Sequence, residues 1–273
     1  MKFTPYGRHY IDSSDIKSIL GVIRNDNITG GKKVSEFENK VNSYLKCKFS
    51  VACNSGTSAL FLAFQALKVK KNDVILMPSV NFVASYNAAK LLNAKVYFTD
   101  VDPDTGQMKP EHVEDCCKKF KLKKIKAILI MYNGGYPENA EKFYKFKKKF
   151  NFSIIEDACH AFGASYKFRN KMFKIGSCKH ADISTFSFHP LKTITTAEGG
   201  IVTTNSAEHA FSPLTELSTY PLAIPLLKES SVAFIIRVSP GTIFLLNLTL
   251  FMLTKFVFIP LKSSIHKNVI IKV

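Results

Sequence analysis

Residues 184–204 read S-T-F-S-F-H-P-L-K-T-I-T-T-A-E-G-G-I-V-T-T. Two short β-like runs, I-S-T-F-S-F from Ile183 and G-I-V-T-T-N from Gly200, flank one lysine, Lys192. Only the Lys192 turn separates them, so they are expected to pair as neighbours at one side of a sheet. The chain carries 38 Lys+Arg in 273 residues, and a surface lysine in a hairpin is the plain reading. The setting supports a sharper one. An amine attacks carbonyls only when neutral, and desolvation or a nearby cation lowers its pKa from about 10.4. A tight turn between two buried strands is such a place, with Ser187 and His189 just before it.

Outward from that stretch, short apolar strands alternate with helices. Strand patterns begin at Phe49, Asp73, Lys95, Ile125 and Ser153, and helical patterns at Ser55, Phe82, Pro110 and Ala140. Two amphipathic helices come first. One covers residues 12–24 with the stripe Ile16, Ile19, Leu20 and Ile23; the other starts at Val34, with Phe37, Val41 and Leu45 on its face. This alternation argues an α/β fold, a three-layer α/β/α sandwich around a mostly parallel sheet. The order breaks after Asn205, where residues 206–225 hold three prolines. The run from Thr242 to Ile259 is apolar except for Asn247 and Lys255. It is borderline against the roughly 20 residues of a membrane span, and its Val, Ile, Phe and Thr content suits strands equally.

The net charge of +17 raises the question of an acidic partner such as a nucleic acid or an anionic membrane. Scattered lysines in a chain rich in Lys, Asn, Ile and Phe explain it better. The two denser runs, 118–126 and 145–149, read as solvated helix faces and linkers. No nucleic-acid partner is therefore expected. Six cysteines occur with no CxxC pair and no zinc-type spacing, which predicts reduced thiols, no metal and a cytoplasmic protein. The opening M-K-F-T-P-Y-G-R-H-Y has no apolar core of a signal peptide.

Three stretches carry chemistry. In N-S-G-T-S-A-L from Asn54, a strand ends, a polar turn with Gly56 follows, and an apolar helix begins. Helix N-terminal amides and the hydroxyls of Thr57 and Ser58 there suit a phosphate; an ordinary helix cap is the simpler account. In I-I-E-D-A-C-H-A-F-G-A from Ile154, Glu156 and Asp157 end an apolar strand and point to opposite faces. One of them can face a cleft and pair with a protonated heterocyclic nitrogen, with His160 three residues on. The third stretch holds Lys192. A phosphate cradle, a carboxylate for a ring nitrogen and a Schiff-base lysine are together the requirements of pyridoxal phosphate.

The sequence resembles the DegT/DnrJ/StrS family of pyridoxal-phosphate sugar aminotransferases. The matching stretches are T-G at Thr29, F-E at Phe37, N-S-G-T-S-A-L at Asn54, P-S-V-N-F-V-A-S at Pro78, D-V-D-P-D-T-G at Asp100, G-Y-P at Gly135, E-D-A-C-H-A-F-G-A at Glu156, S-F-H-P-L-K at Ser187 and E-G-G-I-V-T-T-N at Glu198. They run from about residue 5 to 205. Within the family the chain looks closest to enzymes that aminate C4 of a UDP-linked 4-keto-6-deoxy hexosamine.

The resemblance implies the large domain of the fold-type-I transferases and pyridoxal 5'-phosphate as cofactor. It implies a nucleotide-sugar substrate, glutamate as amino donor, a ping-pong reaction and a homodimer. It gives Lys192 the covalent hold on the cofactor and the proton shuttle, and Asp157 the pyridinium nitrogen. Thr57, Ser58 and Ser187 would hold the phosphate, with Gly56 shaping the turn. Phe82 would stack on the ring (a core phenylalanine being the alternative), and His160 would sit near the phenolic oxygen. Relatives with histidine at the Lys192 position dehydrate sugars, so lysine favours transamination. Ala197 departs from the family, which usually has glycine there, and Asn133 and Gly134 replace more usual residues. Residues after His209 do not resemble the family. The expectation is a large domain over 1–205 and a divergent apolar tail over 206–273, with the small C-terminal domain missing or degenerate. Two other readings stand beside the enzyme: an inactive truncated homologue, and a protein held on a membrane by its basic surface and apolar tail.

Overall fold

The computed structural model describes Gly7, residues 9–28 and 31–210 with side chains, and the backbone of residues 234–239 and 242–246. The chain divides into two compact units, Met1–Ser231 and Val232–Val273.

Two helices open the first unit. In α1 (Ser13–Asn25), the Asp12 carboxylate accepts from the amides of Ser14 and Asp15, while Asp15 accepts from the amide of Asp12. This reciprocal cap satisfies amides that a helix start leaves open. The expected apolar stripe is there but uncovered: Ile16, Ile19, Leu20 and Ile23 are 41–52% exposed, because no described residue packs over them. In contrast, α2 (Lys32–Leu45) buries Val41 and Leu45.

The sheet strands are β1 (Phe49–Cys53), β2 (Val74–Pro78), β3 (Lys95–Thr99), β4 (Ala127–Met131), β5 (Ser153–Asp157), β8 (Ile183–Ser187) and β9 (Gly200–Thr204). Their order is β1-β9-β8-β5-β4-β2-β3. All neighbours are parallel except that β9 runs antiparallel to β8 and β1. The runs on either side of Lys192 thus pair as expected. Helices α3 (Gly56–Ala66), α4 (Val83–Leu91), α5 (Pro110–Phe120) and α6 (Ala140–Lys149) alternate with the strands.

Side chains alternate between the two faces of each strand. On one face Ile128, Ile130 and Ile154 pack with Val113 of α5, Phe143 of α6 and Leu45 of α2. On the other, Leu129, Ile155 and Val202 pack with Ala59 and Phe64 of α3 and Ala88 of α4. Two cores on either side of one sheet make the expected three layers.

A small hairpin, β6 (Ser165–Phe168) with β7 (Lys171–Lys174), has no counterpart in the reading of the sequence. Its turn residues Arg169 and Asn170 both have positive φ, the backbone that two-residue hairpins need. Arginine hides that signal, since glycine, asparagine or aspartate normally announces it.

In the second unit, β10 (Phe234–Ser239) pairs antiparallel with β11 (Thr242–Leu246). The start of the apolar run is therefore strand, one of the two forms its composition suits. Residues 247–259 lie outside the described residues. No helix among the described residues is long and apolar enough to cross a membrane.

Candidate active site

Register brings distant stretches into one row. Cys53 of β1 and Ser187 of β8 both face Gly200 of β9 across the ladders. The C-terminal ends of β1, β8 and β5, with the start of β9 between β1 and β8, therefore lie along one edge, where open α/β sheets build sites.

Helix α3 begins directly against this row. Ser55 is its cap and its hydroxyl accepts from the Ser58 amide at 3.1 Å. Among the described residues no acceptor meets the amides of Gly56 and Thr57. They and the helix dipole form a ready anion site. Close approach is built in. A Cβ on Gly56 would lie 2.7 Å from Ser187 Cβ and 3.2 Å from Cys159 Sγ. Thr57 is exposed and Ser187 half-buried, and Ser187 Oγ accepts from the His189 amide at 3.4 Å. Ser58 differs: its hydroxyl donates to Asn54 Oδ1 at 2.5 Å. That proton is committed within the loop.

Asp157 is buried at the end of β5, on the α3/α4 face. Oδ1 accepts from the Cys159 amide at 3.2 Å, and Oδ2 from the Ser85 hydroxyl of α4 at 3.1 Å. Ser85 closes the P-S-V-N-F-V-A-S stretch but had no role assigned from the sequence, because its contact joins residues 72 apart. Phe82 caps α4 from just before it and is 62% exposed, which excludes the core-phenylalanine alternative. His160 is half-buried. Burial and the positive charge of Lys192 push its imidazole pKa down, against a smaller opposing pull from Asp157. One histidine thus feels both residues, which places all three at one end of the sheet.

Lys192 does not sit in a tight turn. The connection from β8 to β9 is a twelve-residue loop, Phe188 to Gly199, and Lys192 is half-buried in it. The sealed setting expected from the sequence is corrected accordingly; the strands pair only up to Ser187 and Gly200. The loop is nonetheless well tied. The Phe188 amide donates to Gly199 O, and the Thr196 amide and Thr195 hydroxyl donate to Phe188 O. The Lys192 amide donates to His189 O at 2.8 Å. The Phe188 ring is buried against Phe37 and Phe162. Ala197 has φ of 66°, a left-handed conformation that disfavours a side chain. Ala197→Gly is expected to stabilise the protein by roughly 0.5–1 kcal/mol, read as a higher urea midpoint at unchanged slope.

Glu156 points to the opposite face, as the alternation requires. It accepts from the Tyr132 hydroxyl at 2.9 Å and from the Ser184 hydroxyl. Burial raises its pKa above 4.5. The unfolded chain therefore loses this proton first, and the contribution to stability falls as pH rises above about 4.5. Glu156→Gln should remove that decline. Melting temperatures from pH 4.5 to about 7 should drop less in the variant than in the parent; parallel curves would refute the assignment.

The fold defines the class: it is the fold-type-I architecture of the pyridoxal-phosphate-dependent transferases. More narrowly, the chain belongs to the DegT/DnrJ/EryC1/StrS aminotransferase family, whose profile matches residues 9–214. It is 40% identical over 203 residues to the UDP-4-amino-4,6-dideoxy-N-acetyl-beta-L-altrosamine transaminase of Campylobacter jejuni strain 81-176, covering 74% of this chain and 52% of the relative. Among solved structures, Helicobacter pylori PseC, an aminotransferase involved in the biosynthesis of pseudoaminic acid, superposes with a TM-score of 0.69 at 27% identity, covering 90% of this chain and 60% of that one. The PLP form of Spr1654 from Streptococcus pneumoniae gives a TM-score of 0.69 at 26% identity, covering 77% and 57%. The chain spans about half the length of the curated relatives it matches.

Proposed function

We propose that this chain binds pyridoxal 5'-phosphate in the cleft between β5, β8 and α3 and transfers an amino group to a nucleotide-linked 4-keto sugar. The observation that carries the reading is the convergence of Asp157, His160 and Lys192 beside the open N-terminus of α3. The residues fit the cofactor: unmet amides for a phosphate, a buried carboxylate for a ring nitrogen, and an amine for a carbonyl.

When bound, pyridoxal phosphate supplies an electron sink that stabilises charge at the carbon exchanging a proton, and it carries the amino group between donor and acceptor. The amides of Gly56 and Thr57, with the hydroxyls of Thr57 and Ser187, hold the phosphate. Ser58 joins them only by releasing Asn54. Asp157 keeps the ring nitrogen protonated, and Phe82 covers the ring. Lys192 would hold the cofactor through its Nζ, and the same amine would carry the proton exchanged at the reacting carbon. His160, with its lowered pKa, stays neutral at pH 7 and offers a hydrogen bond beside the ring.

The similarity to the C. jejuni transaminase supports a UDP-linked 4-keto-6-deoxy hexosamine as substrate, with glutamate as donor, in surface-glycan biosynthesis. A homodimer belongs to the same reading. Val80, Phe82, Val83, Leu191 and Ile194 leave apolar surface on the segments that carry the site. We assign the cofactor-binding domain to 1–205 and the divergent segment to 206–273, and we place the reaction in the cytoplasm, where six unpaired cysteines persist.

The test supplies cofactor, glutamate and such a sugar to the purified protein. Formation of 2-oxoglutarate together with the amino sugar is expected. Cofactor binding without turnover would leave a binding protein rather than a transaminase.

A further inference from the structure

Asp157 sits at 2% exposure and Ser85 at 0%. A carboxylate at that depth depends on its donors for orientation. One donor, the Cys159 amide, is local and comes with the turn that ends β5. The other, the Ser85 hydroxyl, arrives from the first turn of α4. Ser85 has one proton and faces two oxygens, Asp157 Oδ2 at 3.1 Å and Asn81 Oδ1 at 3.4 Å. Meanwhile Asn81 Nδ2 is buried with no hydrogen-bond partner among the described residues. One orphaned donor beside one contested proton has a simple resolution. With the amide turned over, Nδ2 donates to Ser85 Oγ, Ser85 gives its proton to Asp157 without competition, and the unpartnered atom becomes Oδ1, an acceptor, which costs less to leave unmet than a donor.

We propose that Asn81 and Ser85 are positioning residues for Asp157, joined in a one-way relay from the Asn81 amide through the Ser85 hydroxyl to the carboxylate. The proposal rests on the reading that the cleft holds pyridoxal phosphate. Each link has a direction. The amide fixes the hydroxyl's rotation, and the hydroxyl fixes the plane in which the carboxylate meets the ring nitrogen. Asn81 adjoins Phe82, so one segment would both cover the ring and orient the carboxylate toward its nitrogen.

The experiment compares the parent with Ser85→Ala, Ser85→Thr and Asn81→Ala. Three quantities are read: the Kd of pyridoxal phosphate by absorbance titration, the pH midpoint of the bound visible band, and the Tm of cofactor-free protein. Hydrogen bonds to charged groups are strong enough that Ser85→Ala should weaken binding about tenfold. Its band midpoint should move to higher pH, since a less firmly protonated ring nitrogen withdraws less charge from the lysine-linked nitrogen. Ser85→Thr keeps the hydroxyl and should restore both. Asn81→Ala should show the same midpoint shift, smaller, with the Tm near that of the parent; it carries the test if Ser85→Ala folds poorly. Unchanged Kd and midpoint in both alanine variants would overturn the relay. So would losses that follow the Tm alone and are not rescued by threonine. A parent that binds no pyridoxal phosphate would instead overturn the functional reading, and the relay with it.

Discussion

Lys192→Ala protein is expected to fold, to bind pyridoxal phosphate reversibly, and to lose the borohydride-sensitive visible band of the parent. Its amino-transfer rate should fall by at least about 10³-fold, since one residue supplies both the covalent hold and the proton transfer. Folding should survive because the loop does not depend on this side chain. The buried Phe188 ring, the Thr195 hydroxyl and the Phe188–Gly199 hydrogen bond hold it. The Lys192 backbone amide, which bonds to His189 O, is untouched. The His160 pKa offers an independent check. Lys192 is one cause of its depression, so removing that charge should raise it, visible in the imidazole NMR titration. A borohydride-sensitive band persisting in the variant would point to another lysine and sink the assignment.

Gly200→Ala should be the most damaging small substitution at the site. Its Cβ would stand 2.2 Å from Ser55 O, 2.4 Å from Ser55 C and 2.9 Å from Gly56 N, all backbone atoms. No rotamer change relieves a clash with main chain. Either β9 shifts in its ladders with β1 and β8, or the start of α3 moves out. The expected cost is about 3 kcal/mol, read from urea unfolding. Pyridoxal phosphate should bind at least about tenfold more weakly, because the displaced part is the phosphate cradle. Gly56→Ala makes a less severe approach, 2.7 Å to Ser187 Cβ and 3.2 Å to Cys159 Sγ, but the Cβ of Ser187 is fixed by its backbone, so this variant should also lose stability. Equal stability for Gly200→Ala and the parent would contradict the close packing of α3 on β9.

Much of the site was legible because its chemistry lies in short local patterns. Ser55-Gly56-Thr57 announces a helix start after a strand, and the alternation in β5 already sends Glu156 and Asp157 to opposite faces. Ser85 was not legible, since nothing in F-V-A-S states that this serine meets a carboxylate 72 residues on. Lys192 was half legible. Its residue type and flanking strands were readable, yet a tight turn and a twelve-residue loop are not told apart by two glycines and a proline. The β6/β7 hairpin went unseen because Arg169 adopts a conformation its residue type does not advertise.

By itself, the sequence determined the periodicities. Short continuous apolar runs make strands, helical spacing makes the intervening helices, and their alternation makes a mostly parallel sheet between two helical layers. Only the tertiary structure decided who faces whom. Ladder register put Cys53, Gly200 and Ser187 in one row, and packing α4 onto the sheet delivered Ser85 to Asp157. It also left the α1 stripe uncovered by any described residue, although its pattern asks for burial. The physical reason is range. Backbone and alternation preferences act over a few residues, whereas register and side-chain pairing are settled by contacts between segments distant in the chain.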